Sequence, residues 1–330
     1  MKEHFQLTQR RTFLKSGSAL FVGAALSPMF LLSCKESNTT SQKNMKKDVK
    51  PLEPDLFFKM SLAQWSFHRA LRSNNMDTFS FIDKAKELGF EGVEYVNQFF
   101  KDKAEDMAYL DRLNAKAKEH NLIQNLIMID EEGGLGLTDN NKRKEAIENH
   151  YKWVHAAKYL GCGSIRVNAY GEGTPDEVSA AAIDGLSRLS EYAEKENINV
   201  IVENHGGYSS NGKWMANVLE QVNMDNCGSL PDFGNFCIKR GKDSKCEEEY
   251  DRYQGMKDLM PFAKAVSAKS HDFDDQGNEI HTNYMRVMKI VKDSGFRDFV
   301  NVEYEGNVLG EEEGVINTVA LLKKVGAALG

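Results

Sequence analysis

The stretch INVIVENHGG, residues 198–207, runs through Ile198, Val200, Ile201 and Val202 before it reaches Glu203, Asn204, His205 and two glycines. A β-branched run with little polar alternation belongs to a strand buried on both faces, as in parallel sheets covered by helices. A carboxylate and an imidazole at the end of such a strand are costly to bury, so their neighbours must explain them. Seven comparable runs lie on either side: FFKMSLAQW (57–65), FEGVEYV (90–96), NLIQNLIMI (121–129), SIRVNAY (164–170), CGSLPDF (227–233), AVSAKSH (265–271) and FVNVEYEG (299–306). Between them lie amphipathic stretches such as MDTFSFIDKAKELG (76–89) and NYMRVMKIVKDSG (283–295), each ending in glycine. Eight strand–helix units predict an α/β fold, a single (β/α)8 TIM barrel over residues 57–330. An open doubly wound sheet is the rival, but SLAQWSFHR after the first strand carries no Gly-rich phosphate turn.

Two segments precede the barrel. QRRTFLK (9–15) followed by the apolar SGSALFVGAALSPMFLLSC (16–34) reads as an export signal over residues 1–33. Arg10-Arg11 resembles the twin-arginine pattern, with Gln9 where Ser or Thr is usual. Leu31-Leu32-Ser33-Cys34 resembles a lipobox, which makes Cys34 the lipidated residue of an exported, periplasmic or outer-membrane-associated lipoprotein. An uncleaved membrane anchor is the alternative. Residues 34–56 are polar and read as a flexible tether. Any contact with a membrane is then through the N-terminal lipid alone.

Residues 1–33 hold four of the 42 basic and one of the 49 acidic residues, so without them 38 face 48 and the net charge falls from −7 to −10. An acidic body without basic clusters argues against nucleic acid as a partner. Cys162, Cys227, Cys237 and Cys246 show no metal-finger spacing and read mostly as buried thiols, with a disulfide open to them in an oxidising compartment. DSKCEEEYDRY (243–253) reads as a solvated helix start, or as a loop covering the barrel mouth after strand six. His120, His150 and His155 fall on or beside helices and read as surface or packing residues.

In a barrel, the C-terminal strand ends carry the site. Period-two alternation puts Glu203 and His205 on one face of the fifth strand. Asp232 ends the sixth, Ser267, Lys269 and His271 share a face of the seventh, and Asn301, Glu303 and Glu305 share a face of the eighth. Three carboxylates converging in a barrel mouth repel unless a cation neutralises them, and an oxygen-rich set with one imidazole suits Mn²⁺, Mg²⁺, Co²⁺ or Zn²⁺. Gln64, Trp65, His68, Glu94, Asn97, Arg166 and Asn168 lie at other strand ends, where amides, a guanidinium and aromatic faces suit sugar hydroxyls and C–H groups.

VIVENHGG, LPDFGN and VNVEYEG, in that order on strands five, six and eight, resemble the xylose isomerase-like TIM-barrel superfamily of sugar isomerases, epimerases and related lyases over about residues 57–326. The resemblance implies one divalent metal held by Glu203, Asp232, Glu303 and a strand-seven histidine, with Glu203 and Glu303 moving the substrate proton. Family members often carry His-x-Lys-Asp on strand seven; here Ser267 takes the histidine's place and Lys269 the lysine's, which leaves His271 or a three-ligand metal. Asn235 stands where sugar epimerases commonly have a histidine, and His205 and Lys269 are expected to touch substrate or ligands.

These features predict a metal-dependent isomerase or epimerase that removes a proton beside a carbonyl. The substrate is a small sugar or glycoside without phosphate, since no Arg/Lys clamp appears. A keto-glycoside lyase or hydratase using the same glutamates is the alternative, and a non-catalytic sugar-binding lipoprotein the second. Apurinic endonuclease activity is opposed by the acidic charge. The sequence leaves oligomeric state open.

Overall fold

A computed structural model of the chain describes residues 55–330 apart from Ser244. The export signal, the lipobox with Cys34 and nearly all of the tether lie outside the described residues. The strands are β1 (Lys59–Ala63), β2 (Gly92–Val96), β3 (Ile123–Met128), β4 (Ser164–Val167), β5 (Asn199–Glu203), β6 (Cys227–Leu230), β7 (Cys237–Arg240), β8 (Cys246–Glu249), β9 (Val266–Ser270) and β10 (Phe299–Tyr304). Eight of them form one sheet in the order β6-β5-β4-β3-β2-β1-β10-β9, all parallel. Between β6 and β9 the ring closes through parallel bridges, Ser229 to Ala263 and Asp232 to Ser267. The Ser267 N–H donates to the Pro231 carbonyl at 2.9 Å and the Phe233 N–H to the Ser267 carbonyl at 3.1 Å. The fold is the expected (β/α)8 barrel, and its closing seam runs through Asp232.

Helices α1 (His68–Arg72) and α2 (Thr78–Glu87) follow β1, and α3 (Met107–His120), α4 (Asn140–Leu160), α5 (Pro175–Glu194), α6 (Gly212–Val222), α7 (Arg252–Leu259), α8 (Tyr284–Asp293) and α9 (Glu311–Leu329) each follow one of the other barrel strands, α7 after the β7–β8 insertion. Their starts follow from local chemistry: Asp77 and Ser80 form a capping box on α2, and Thr174 and Glu177 form one on α5 with Pro175 in its first turn.

Buried apolar side chains divide into two clusters. The larger joins strands to helices, with Val200 and Val202 among Ile165, Leu186 and Leu189. The smaller contains Val96, Leu126, Met128, Ile201, Leu230 and Ala265 and no helix residue, so it fills the barrel interior. Strands whose two faces meet these two clusters need apolar residues at successive positions, which is why they appear as nearly unbroken runs.

The loop after β6 departs from expectation. DSKCEEEYDRY supplies β8 before it reaches α7, and β7 pairs with β8 as an antiparallel hairpin held by a Cys237–Cys246 disulfide. These two cysteines are therefore not buried thiols, whereas Cys162 and Cys227 are. The hairpin's Lys, Arg and Glu residues carry no apolar period, because its strands are largely solvated and cross-linked rather than buried.

Candidate metal and proton-transfer site

Inward side chains recur every second residue. Ile201 is thus followed by Glu203, Leu230 by Asp232, Ala265 by Ser267 and Lys269, and Asn301 by Glu303 and Glu305. An apolar interior therefore underlies an ionisable rim. One carboxylate oxygen from each of Glu203, Asp232 and Glu303 lies within 4.8 Å of the other two, and all three side chains are buried.

Each carboxylate is aimed by neighbours. Asn235 Nδ2 donates to Glu203 Oε1 at 3.0 Å, while Arg166 Nε lies 2.8 Å from Glu203 Oε2 outside hydrogen-bond geometry. The N–H groups of Gly234 and Asn235 donate to Asp232 Oδ1, both at 2.8 Å. Ser267 Oγ and Lys269 Nζ donate to the two oxygens of Glu303 at 2.9 and 2.7 Å. Lys269 Nζ also lies 3.2 Å from Glu305 and 3.8 Å from Asp232, so one buried ammonium serves three carboxylates.

Burial pushes Glu303 up to about 8 and Asp232 up to about 6, with Glu203 raising both and Lys269 opposing. Burial opposes ionisation of Glu305 as well, but Lys269 and a Trp65 hydrogen bond outweigh it and bring that carboxyl down to about 2. Asp130 is also drawn down to about 2, its burial overcome by Arg166 and Asn168, which donate to it at 2.7 and 2.9 Å. Among the described residues Glu203 Oε2 and Asp232 Oδ2 have no hydrogen-bond partner, only the nearby charges of Arg166 and Lys269. Unsatisfied buried oxygens, together with two carboxyls pushed up by burial and by each other's company, mark a place short of positive charge. The three-carboxylate set can hold a metal ion.

Trp65, Arg166, Asn168 and His205 line a cavity of about 260 Å³ in the barrel mouth, together with Glu303 and Glu305. Asn235 and Lys269 touch the carboxylates directly. Gln64 does not reach the cavity: its amide accepts from the Val96 N–H and donates to Thr78, tying β1 to β2. Asn97 clasps the backbone of Asp130 with both amide atoms, and His68 stacks behind Trp65 with ring centroids 5.2 Å apart. These three support the site rather than line it.

His271 does not complete the carboxylate set. Its Nε2 lies 3.8 Å from Glu305, its side chain is 39% exposed, and its ring packs against His281. β9 ends at Ser270, so the period-two rule that put His271 beside Lys269 no longer holds there. Lys269, the last inward residue of that strand, takes the place instead.

The strand-end rule also missed useful residues. Asp130, immediately after the third apolar run, anchors Arg166. Asn204 is fully buried; its Nδ2 donates to the Asp232 and Asn235 carbonyls and its Oδ1 accepts from the Asp232 N–H at 2.7 Å, fastening the end of β5 to that of β6. Gly206 and Gly207, at φ of 87° and 60°, then turn the chain away in a conformation that side chains resist.

Below the carboxylates, Glu94 is buried against Asn301, which donates to it. Burial, with Glu303 and Glu203 nearby, raises it well above its ordinary value. A carboxyl raised in the folded state stabilises the fold below its unfolded value near 4.5 and loses that contribution as pH rises through the folded value. Glu94→Gln removes the loss. In metal-free protein its Tm relative to wild type should therefore rise between pH 5 and pH 9 by about 3 °C or more; a constant difference would show that Glu94 does not titrate this way.

Solved structures share this fold at low identity. The 3-keto-D-glucoside 4-epimerase of E. coli is 13% identical with a TM-score of 0.61, covering 82% of this chain and 99% of its own. D-Psicose 3-epimerase in the presence of D-fructose is 13% identical with a TM-score of 0.63, at 81% and 99% coverage. The IOLI protein with a bound zinc atom is 16% identical with a TM-score of 0.64, at 82% and 99%. No curated protein matches. The model of the family described as xylose isomerase-like TIM barrel matches residues 82–325, and the chain belongs to that family.

Proposed function

We propose that the protein is a divalent-metal-dependent sugar isomerase or epimerase working by proton transfer beside a carbonyl. The observation that carries this reading is the convergence of buried Glu203, Asp232 and Glu303 at the mouth of the barrel. Those three residues would hold the metal. With Ser267 in place of an imidazole the protein donors are all oxygen, which favours Mg²⁺ or Mn²⁺ over softer choices. The metal, when bound, supplies polarisation of a carbonyl and its neighbouring hydroxyl.

The chain's own residues do the rest. Glu203, aimed by Asn235, and Glu303, aimed by Ser267 and Lys269, act as the proton-transfer pair. One removes a proton from the carbon beside the carbonyl, leaving an enediolate, and a glutamic acid returns a proton. Return to the opposite face of the same carbon gives the epimer; return to the neighbouring carbon gives the isomer. Lys269 and Arg166 limit the repulsion as charge moves, and Trp65 offers an aromatic wall to sugar C–H groups. Solved neighbours of the same fold that are sugar epimerases support this reading. A keto-glycoside lyase is the second reading, favoured by an outer cavity beside the mouth: the same proton removal, with the C–O bond β to the carbonyl breaking, would release the glycoside's alcohol. The exposed Cys237–Cys246 disulfide supports export to an oxidising compartment.

Metal addition provides the test. Chelator-treated protein given Mn²⁺ or Mg²⁺ at one hundred times its Kd should gain about 2.7 kcal/mol, seen as a Tm rise of several degrees. Asp232→Asn should lose most of that rise. Absence of both bound metal and thermal shift in the wild type would remove the metal from this account.

A further inference from the structure

We propose that a second cavity beside the catalytic mouth is a subsite for the second sugar ring of a glycoside, so that the substrate is a glycoside and not a free monosaccharide. This rests on the proposed sugar chemistry of the inner cavity. The outer cavity, about 320 Å³, is lined by Tyr170, Val178, Gly207, Tyr208, Ile238 and Glu248, with Gly171 and Lys239 beside them. Tyr170 also lines the inner cavity, so the two spaces share one aromatic wall. The β5 loop likewise serves both, through His205 inside and Gly207 and Tyr208 outside. Alone, the inner space of about 260 Å³ is small for a ligand pocket, and the outer one of about 320 Å³ lies at the other side of the shared Tyr170.

The outer walls are built rather than incidental. A Cβ at Gly134 would come within 2.7 Å of two Tyr170 ring carbons, so that ring lies against backbone which only glycine allows there. Tyr208 Oη donates to the Gly173 carbonyl at 3.0 Å, and its ring lies 5.9 Å from Trp214, which donates to the Pro175 carbonyl at 3.0 Å. Ile238 belongs to the disulfide-held hairpin. Tyr170 is nevertheless 50% exposed. Two positioned phenol rings and aliphatic side chains, rimmed by charged groups, suit a pyranose with its apolar C–H face and hydroxyl edge. A phosphate is a poor occupant, because Lys239 is paired with Glu247 at 2.9 Å and Glu248 shares the lining.

Calorimetry on Mn²⁺-loaded full-length protein tests the subsite with methyl β-D-glucopyranoside against cellobiose and methyl β-D-galactopyranoside against lactose. In the better-bound pair the disaccharide should bind about tenfold more tightly. Tyr208→Ala, and separately Ile238→Ser on the solvated hairpin, should each remove most of that gain while leaving the methyl glycoside's affinity unchanged. Equal affinity for both members of each pair would overturn the subsite, as would variants that lower both affinities together. The ratio is read without turnover, so it stands or falls separately from the proton chemistry, which solvent-deuterium exchange into the same sugars reports.

Discussion

At Mn²⁺ concentrations that keep both proteins loaded, Glu303→Gln is expected to lower turnover by about 10³-fold while sugar binding stays within a few-fold of wild type. The amide keeps the shape of the carboxylate and can still accept from Lys269 or Ser267, the two groups that hold it, but it cannot take up or release a proton at the working pH. In the metal-free protein burial raises this carboxyl to about 8; a bound cation would draw it back toward its ordinary value, so its role in proton transfer rests on its position beside Glu203 and Asp232. Steady-state rates beside calorimetric affinities separate the possibilities. A protein that only binds sugar would show unchanged affinity and no turnover to lose, whereas loss of affinity in step with rate would make Glu303 a binding residue.

Lys269→Met should have the largest effect on stability. Its ammonium lies 2.7 Å from Glu303, 3.2 Å from Glu305 and 3.8 Å from Asp232, and Met fills similar volume without charge. Removing one partner of a buried ion cluster costs about 3–5 kcal/mol, so the metal-free variant should melt about 10 °C below wild type. The cation that the carboxylates lack can come from elsewhere: Mn²⁺ should raise the variant's Tm more than that of wild type, because Lys269 no longer competes for Glu303. A drop that Mn²⁺ restores no better than in wild type would mean that Lys269 acts by packing alone. Differential scanning calorimetry with and without chelator distinguishes these outcomes.

Strand identity was readable because each barrel strand is squeezed between two apolar environments. Val200 and Val202 face the helices while Ile201 faces the interior, and no single polar face interrupts the run. Glu203, Asp232 and Glu303 were readable as a group for a related reason: each follows an inward apolar or amide residue by two, on strands whose register sets them at similar depth. Period-two reasoning failed where strands stop. β9 ends at Ser270, and His271 beyond it lies 3.8 Å from Glu305 instead of joining the three carboxylates, whereas His205, two residues past the end of β5, still lines the mouth. Lys269 was legible as a residue near substrate, but its position among three carboxylates depends on the β6–β9 seam, a contact that no local pattern announces. Gln64 and Asn97 have chemistry suited to sugar hydroxyls, yet nearby backbone groups and the Thr78 hydroxyl consume their amides. The hairpin was hidden because solvated, cross-linked strands need neither an apolar face nor strong β propensity.

Exchange of solvent deuterium into sugar carbons addresses the central claim, that Glu203 and Glu303 move a proton beside a carbonyl. Metal-loaded wild-type protein in D₂O, incubated with a panel of keto-hexoses and 3-keto-glycosides, should place deuterium on the carbon next to the carbonyl of at least one member. The rate should fall by about 10³-fold in Glu303→Gln. If the wild type binds sugars from the panel and leaves every such position protonated, the carboxylates hold sugar without moving its protons, and the proposed chemistry is wrong.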